Sequence, residues 1–170
     1  MIFKIVGALC VITGCGAVGF RIAAMYKYEE KCMRQLLDIV SYMEWELSYK
    51  MTPLPELCRQ AVGQKNGAVC RYFLALAEEM DSQVSPNVAL CCSVCLHKCK
   101  DIPVITRNVI DSMGQTLGKF DIEGQVSSLN ATKAETKRQL ELLCRNKDVR
   151  IRSYQTLGLC AGAALAILFI

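Results

Sequence analysis

MIFKIVGALCVITGCGAVGF, residues 1–20, carries a single charge, Lys4, and its reading decides how the rest of the chain is organised. A helix needs roughly 20 mostly apolar residues to cross a bilayer. This run supplies them, with Lys4 near enough to the end to snorkel. A second uncharged stretch, LGLCAGAALAILFI, occupies residues 157–170, and Tyr154 and Thr156 extend it through the interface. A stretch of that length also suits a buried core helix. Arg21, Lys27, Lys31 and Arg34 follow the first stretch, and Arg145, Lys147, Arg150 and Arg152 precede the second. Basic residues collect on the cytoplasmic side of spanning helices. The pattern therefore predicts transmembrane helices over residues 1–20 and 155–170, with a cytoplasmic domain over residues 21–154 held to one membrane by both ends. In the second span Gly158, Gly162 and Ala166 recur every four residues, a spacing that forms a groove for close helix packing.

Two other readings place the domain outside the cytoplasm. One is a signal peptide cleaved at Ala17-Val18-Gly19. The other is a lipid-modified cysteine in Ile12-Thr13-Gly14-Cys15. Apolar sequence running past Cys15 to Phe20, and the basic cluster right behind it, argue against both.

Between the apolar ends the periodicity is helical throughout. Met33, Leu36, Val40, Met43 and Leu47 repeat on one face up to Lys50, and no Pro or Gly after Gly19 separates them from the first span. One long helix is expected. Thr52 then reads as a cap, Pro53 as a first-turn residue and Glu56 as an acid at the positive end of a second helix over 53–62. A third helix over 67–80 presents Val69, Tyr72, Phe73, Leu76 and Met80. A fourth over 85–100 has Ser85 as cap, and a fifth over 103–113 presents Val104, Ile105, Val109 and Ile110. Leu117-Gly118-Lys119-Phe120-Asp121 is a turn, with Asp121 capping a last helix that carries Val126, Leu129, Leu140 and Leu143 toward the second span. The expected fold is an all-α antiparallel bundle of about six helices, the first and last extending into the membrane.

The chain is 170 residues long with a net charge of +4, most of the excess flanking the apolar ends. That favours contact with anionic lipid headgroups. No basic patch with interleaved aromatics marks a nucleic-acid surface. There is one histidine, His97, and no glycine-rich phosphate loop, so no catalytic, cofactor or small-molecule substrate site is expected. The eleven cysteines include one cluster with metal-like spacing, Cys91, Cys92, Cys95, His97 and Cys99. On a helix Val88, Cys92, Cys95 and Cys99 share a face while His97 falls off it. Four ligands on one straight helix cannot surround a tetrahedral ion, and the pattern reads best as buried thiols acting as small hydrophobes. A thiol-based redox or metal sensor over Cys91–Cys99 is the alternative. Glu44 and Glu46 lie about 160° apart around a helix, too far to act as a dyad. One of them can face the bundle and pair with a base, and a solvated helix face is the plainer reading of both.

Three segments together carry a resemblance. They are Tyr42-Met43-Glu44-Trp45-Glu46-Leu47 leading into Thr52-Pro53-Leu54-Pro55-Glu56-Leu57; Leu117-Gly118-Lys119-Phe120-Asp121-Ile122-Glu123-Gly124-Gln125; and Leu157-Gly158 with the tail Ala166-Ile167-Leu168-Phe169-Ile170. With the first span ending Gly19-Phe20, the chain resembles the stage III sporulation protein AB family of endospore-forming bacteria over essentially its whole length. The cysteine-rich fourth helix departs from that pattern. The resemblance implies a non-enzymatic subunit of a channel-like complex in the mother-cell membrane surrounding the forespore. It also implies likeness to the cytoplasmic helical domain of type II secretion and pilus platform proteins, with a secretion-type ATPase as a partner that supplies ATP hydrolysis. On this reading the contact surface comprises Glu44, Glu46, Pro53, Leu54, Pro55, Glu56, Leu117, Gly118, Asp121 and Gln125, where two segments meet at the end of the bundle far from the membrane.

Overall fold

The computed structural model describes the backbone of residues 2–82 and 87–169, and the side chains of residues 21–82, 87–145, 156 and 160. Six helices run in order: α1 Ile2–Tyr49, α2 Leu54–Val62, α3 Ala68–Asp81, α4 Val88–Lys98, α5 Val104–Thr116 and α6 Ile122–Phe169. The expected single long first helix is present as α1. Apart from Thr156 and Cys160, the apolar stretches 1–20 and 155–170, with Gly158, Gly162 and Ala166, lie outside the described side chains. Among the described residues no helix is long and apolar enough to cross a membrane.

The chain forms two compact units. One comprises Met1–Tyr28 and Leu142–Ile170, from the outer parts of α1 and α6, and its described side chains Met25, Tyr28 and Leu142 are exposed. The other, Glu29–Glu141, is the bundle proper.

The bundle's core takes one stripe from each helix. Met33, Leu36, Ile39, Val40 and Met43 of α1 meet Leu57 and Val62 of α2, Val69, Tyr72, Phe73 and Leu76 of α3, Ile110 and Met113 of α5 and Leu129 of α6, all buried. Tyr72 and Phe73 pack edge to face with ring centroids 5.2 Å apart. The face expected of α5 is only partly buried, since Val104 is 70% exposed. It lies in the first turn, on the side away from the buried Thr106 that Glu29 of α1 bonds.

Side-chain contacts tie neighbouring helices together. Arg59 of α2 pairs with Asp81 at the end of α3, and Arg71 of α3 bonds Asp101 just after α4 at 2.9 Å. A methyl built at Gly114 of α5 would lie 2.7 Å from Cys92 Cβ, so α4 and α5 touch backbone to side chain. Ser128 of α6 donates to Thr116 at the end of α5 at 2.7 Å.

Caps depart from expectation in two places. Thr52 does not cap α2. Pro53 occupies the cap position without a side-chain bond, and the Thr52 hydroxyl donates instead to Glu46 Oε1 at 3.1 Å. The fourth helix starts at Val88, and Asn87 is its cap, accepting from the Leu90 amide at 2.8 Å. Ser85 lies outside the described residues. Asp121 caps α6 as expected, accepting from the Gly124 amide at 3.1 Å. Two caps come from neighbouring helices. Glu29 of α1 accepts from the Thr106 amide at 3.2 Å, placing a carboxylate at the positive end of α5. Arg107 donates to the carbonyls of Leu96 and Cys99 at 3.1 and 2.7 Å, covering the last turn of α4.

Candidate functional site

The last two turns of α1 and the reversal into α2 hold the most unusual chemistry in the bundle. Helical spacing puts Met43 and Leu47 in the core. The same spacing carries Glu46 inward, where it is 2% exposed. Its Oε1 accepts from Thr52 and lies 3.3 Å from Lys50 Nζ, whereas its Oε2 is buried without a hydrogen-bond donor among the described residues. A buried acceptor left without a donor typically costs about 1–3 kcal/mol, so its retention at a chain reversal asks for an explanation. Glu44 points elsewhere and bonds Lys133 of α6 at 2.8 Å, both side chains being largely covered. Neither glutamate therefore lies on a plain solvated face: one is buried and the other ties α1 to α6.

Outside the helix, Tyr42, Trp45 and Tyr49 form a ladder with ring centroids 6.2 and 5.6 Å apart. Trp45 is 51% exposed, Tyr49 76%, and Met51 just beyond them 82%. Sequence reading missed this ladder. The signal was present in the 42, 45, 49 spacing, but Tyr42 and Trp45 were read only as part of a motif and Tyr49 not at all. Tyr42 donates to Gln60 Oε1 of α2 at 3.4 Å, and Gln60 in turn donates to Glu56 at 3.0 Å.

Pro53 and Glu56 are exposed and Leu54 and Pro55 half-buried on the first turn of α2. At the α5–α6 turn Leu117 is buried, and Gly118 adopts φ +76° against Val88. Asp121 is exposed, and Gln125 donates to the Phe120 carbonyl at 3.3 Å. Phe120 and Ile122 beside them are exposed apolar groups.

The cysteines of α4 are core residues. Cys91, Cys92 and Cys95 are buried, Cys99 half-buried and His97 exposed. Burial raises the Cys92 and Cys95 thiols to about 11 and Cys58 of α2 to about 12. Tyr72, also raised chiefly by burial, lies against these thiols. A reactive or ligating cysteine needs the opposite, a stabilised and accessible thiolate. Among the described residues no three Cys, His, Asp or Glu side chains are arranged to hold a metal ion. Two shallow clefts flank α5, one of about 260 Å³ lined by Ser112, Thr116, Ser128 and Glu135, the other of about 240 Å³ lined by Ser93, His97, Arg107 and Asp111. Neither converges polar groups on a point within an apolar pocket, as a small-molecule site does.

Fold and surface thus define a helical-bundle subunit whose distinctive features are an exposed aromatic ladder and a rigid chain reversal. The chain belongs to the stage III sporulation protein AB family, whose sequence pattern matches residues 4–170, and so to the stage III sporulation machinery. It is similar to Stage III sporulation protein AB of Bacillus subtilis (strain 168), 25% identical over 175 residues covering 97% of this chain and 98% of that one. A solved structure of Stage III sporulation protein AB (SpoIIIAB) shares the fold with a TM-score of 0.64 at 20% identity, over 72% of this chain and 98% of that one.

Proposed function

We propose that this chain is a membrane-anchored, non-enzymatic platform subunit of the stage III sporulation complex in the mother-cell membrane around the forespore, and that it docks a secretion-type ATPase. The reading joins family membership to the resemblance to secretion platform domains. Two apolar termini with basic residues on their inner sides support anchoring by both ends. The feature that carries docking is the proline-stiffened turn Pro53, Leu54, Pro55, Glu56, whose Pro53 and Glu56 are exposed, with Asp121 and Gln125 as the proposed second half of the contact surface. A rigid turn loses little entropy on binding. Glu56 and Asp121 supply charge, Leu54 an apolar contact, and Glu44 and Glu46 act from behind by holding the reversal in place.

Pull-down of the ATPase from sporulating cells with full-length variants tests the docking. Glu56→Arg should leave the melting temperature within about 1 °C of the parent, as exposed substitutions do, while reducing capture and spore yield. If Glu56→Arg and Leu54→Ala both capture partner and sporulate like the parent, docking lies on the flank of the bundle. Anchoring is tested separately, by labelling new cysteines near Met1 and after Ile170 from outside intact cells. Labelling of Cys58 or Cys70 in place of the terminal sites would overturn it.

A further inference from the structure

We propose that the exposed rings of α1 and the acidic edge of α2 and α3 beside them form a docking face for a cationic amphipathic helix of a protein partner. The proposal rests on the docking reading for the arrival of a protein partner, and adds the chemistry and the shape of the segment that binds.

Hydrogen bonds and ion pairs join the two halves of this face. Tyr42, the first ring of the ladder, donates to Gln60 of α2, and Gln60 donates to Glu56. Arg59 lies 3.8 Å from Glu56 Oε2 and pairs with Asp81 of α3. Asp81 above all, with Glu56 and Glu78, raises the Arg59 guanidinium above its ordinary range. Three carboxylates therefore act on one cation, and the side chains of Glu56 and Asp81 stay 51% and 48% exposed. On a chain of net charge +4 this edge is locally negative. Lys50, next to Tyr49, lies 3.3 Å from Glu46 Oε1 and is matched there.

Trp45 and Tyr49 are more than half exposed, and Met51 follows them as a further bare apolar side chain. An exposed apolar strip with a polar rim marks an interaction surface. The charge of the rim selects the partner. Carboxylates repel anionic lipid and attract a cationic protein segment. The ring spacing selects its shape. Centroids 6.2 and 5.6 Å apart match the rise of about 6 Å between side chains four residues apart on a helix. Apolar residues at that step seat between successive rings, as the apolar face of an amphipathic helix does in a groove. Lysine or arginine on the flank of the same helix then meets Glu56 and Asp81.

Trp45 is the only tryptophan in the chain, so its fluorescence reads this face directly. The experiment titrates the full chain, in micelles of an uncharged detergent, with a helical leucine–lysine peptide and with its leucine–glutamate counterpart, neither containing an aromatic residue. Uptake of a peptide by the micelles is the same for every variant, so differences between variants belong to the face. A saturable change in Trp45 emission with the lysine peptide is expected, weakened by added salt, and at least several-fold weaker binding of the glutamate peptide. Glu56→Gln combined with Asp81→Asn should weaken lysine-peptide binding roughly three- to tenfold, as the loss of two exposed ion pairs does. Asp111→Asn, at an exposed carboxylate of α5, should leave it unchanged. Tyr49→Ala, at an exposed position, keeps the test decisive if the double variant does not fold, and should weaken binding roughly fivefold.

A linear, unsaturable response, equal binding of the two peptides, or unchanged binding in the double variant or in Tyr49→Ala overturns the proposal. So does a Trp45 signal that depends on protein concentration without peptide, which would mean that a second copy of the chain covers the rings. Binding of the lysine peptide, with ATPase capture unaffected by Glu56→Arg, leaves this face and removes the docking reading. Capture lost in Glu56→Arg, without peptide binding to the parent, does the reverse.

Discussion

Alkylation of the native chain at pH 8 should spare Cys58, Cys92 and Cys95 almost completely. The nucleophile is the thiolate. A cysteine at its ordinary 9.0 is about one-tenth ionised at pH 8, whereas Cys58, pushed up to about 12, is ionised in about one molecule in ten thousand, a deficit of about a thousandfold. Cys92 and Cys95, at about 11, fall short by about a hundredfold. Burial compounds this, for the three side chains are between 0% and 4% exposed, and a reagent reaches them only through local opening. The assay is a time course with iodoacetamide, read cysteine by cysteine by peptide mass spectrometry, in buffer and in denaturant. Labelling of Cys58 in the native chain within tenfold of its denatured rate, with helical circular dichroism intact, would refute the core assignment and revive the thiol sensor. The same shifts set a pH window. The folded state keeps protons that the unfolded chain releases above pH 9, so this contribution is intact below pH 9 and is lost as pH rises from 9 toward 12. Cys58→Ala should flatten that fall in urea-unfolding stability.

Three further outcomes follow from particular contacts. Thr52→Val removes a donor to Glu46 Oε1 without changing shape and should cost about 1–2 kcal/mol in urea unfolding, while Thr52→Ser should cost much less; equal loss in both would mean that packing, not the hydroxyl, matters. Asp121→Ala deletes the cap on the Gly124 amide and should cost about 1 kcal/mol, read as a lowered melting temperature. Gly118→Ala puts a methyl 2.8 Å from Val88 Cγ2 at φ +76°, and a loss of about 1–3 kcal/mol is expected from strain and overpacking; an unchanged melting temperature would show that the turn relaxes freely.

Local signals carried most of the fold. Helical repeats such as Met33, Leu36, Val40, Met43 and Leu47 identify a buried stripe because side-chain direction along a helix depends only on residue spacing. Gly118 and Asp121 marked the α5–α6 turn for equally local reasons. The cysteines of α4 were legible too, since one helix cannot wrap an ion. The candidate site was half visible: its segments stood out as motifs, but exposure and burial within them did not. Leu117 and Glu46 are enclosed, while the Trp45 and Tyr49 rings are left bare.

What the sequence determined by itself was therefore the all-α class, the count of six helices and the stripe that each buries, all consequences of spacing along one chain segment. Tertiary structure alone decided the partners. It set Glu29 on the amide of Thr106, 77 positions away, Lys133 on Glu44, and Arg107 over the carbonyls ending α4. It also diverted Thr52 from capping its own helix to serving Glu46. A polar group takes whichever partner the packed helices bring within about 3 Å. That choice depends on how the helices are placed against one another, which no local spacing encodes.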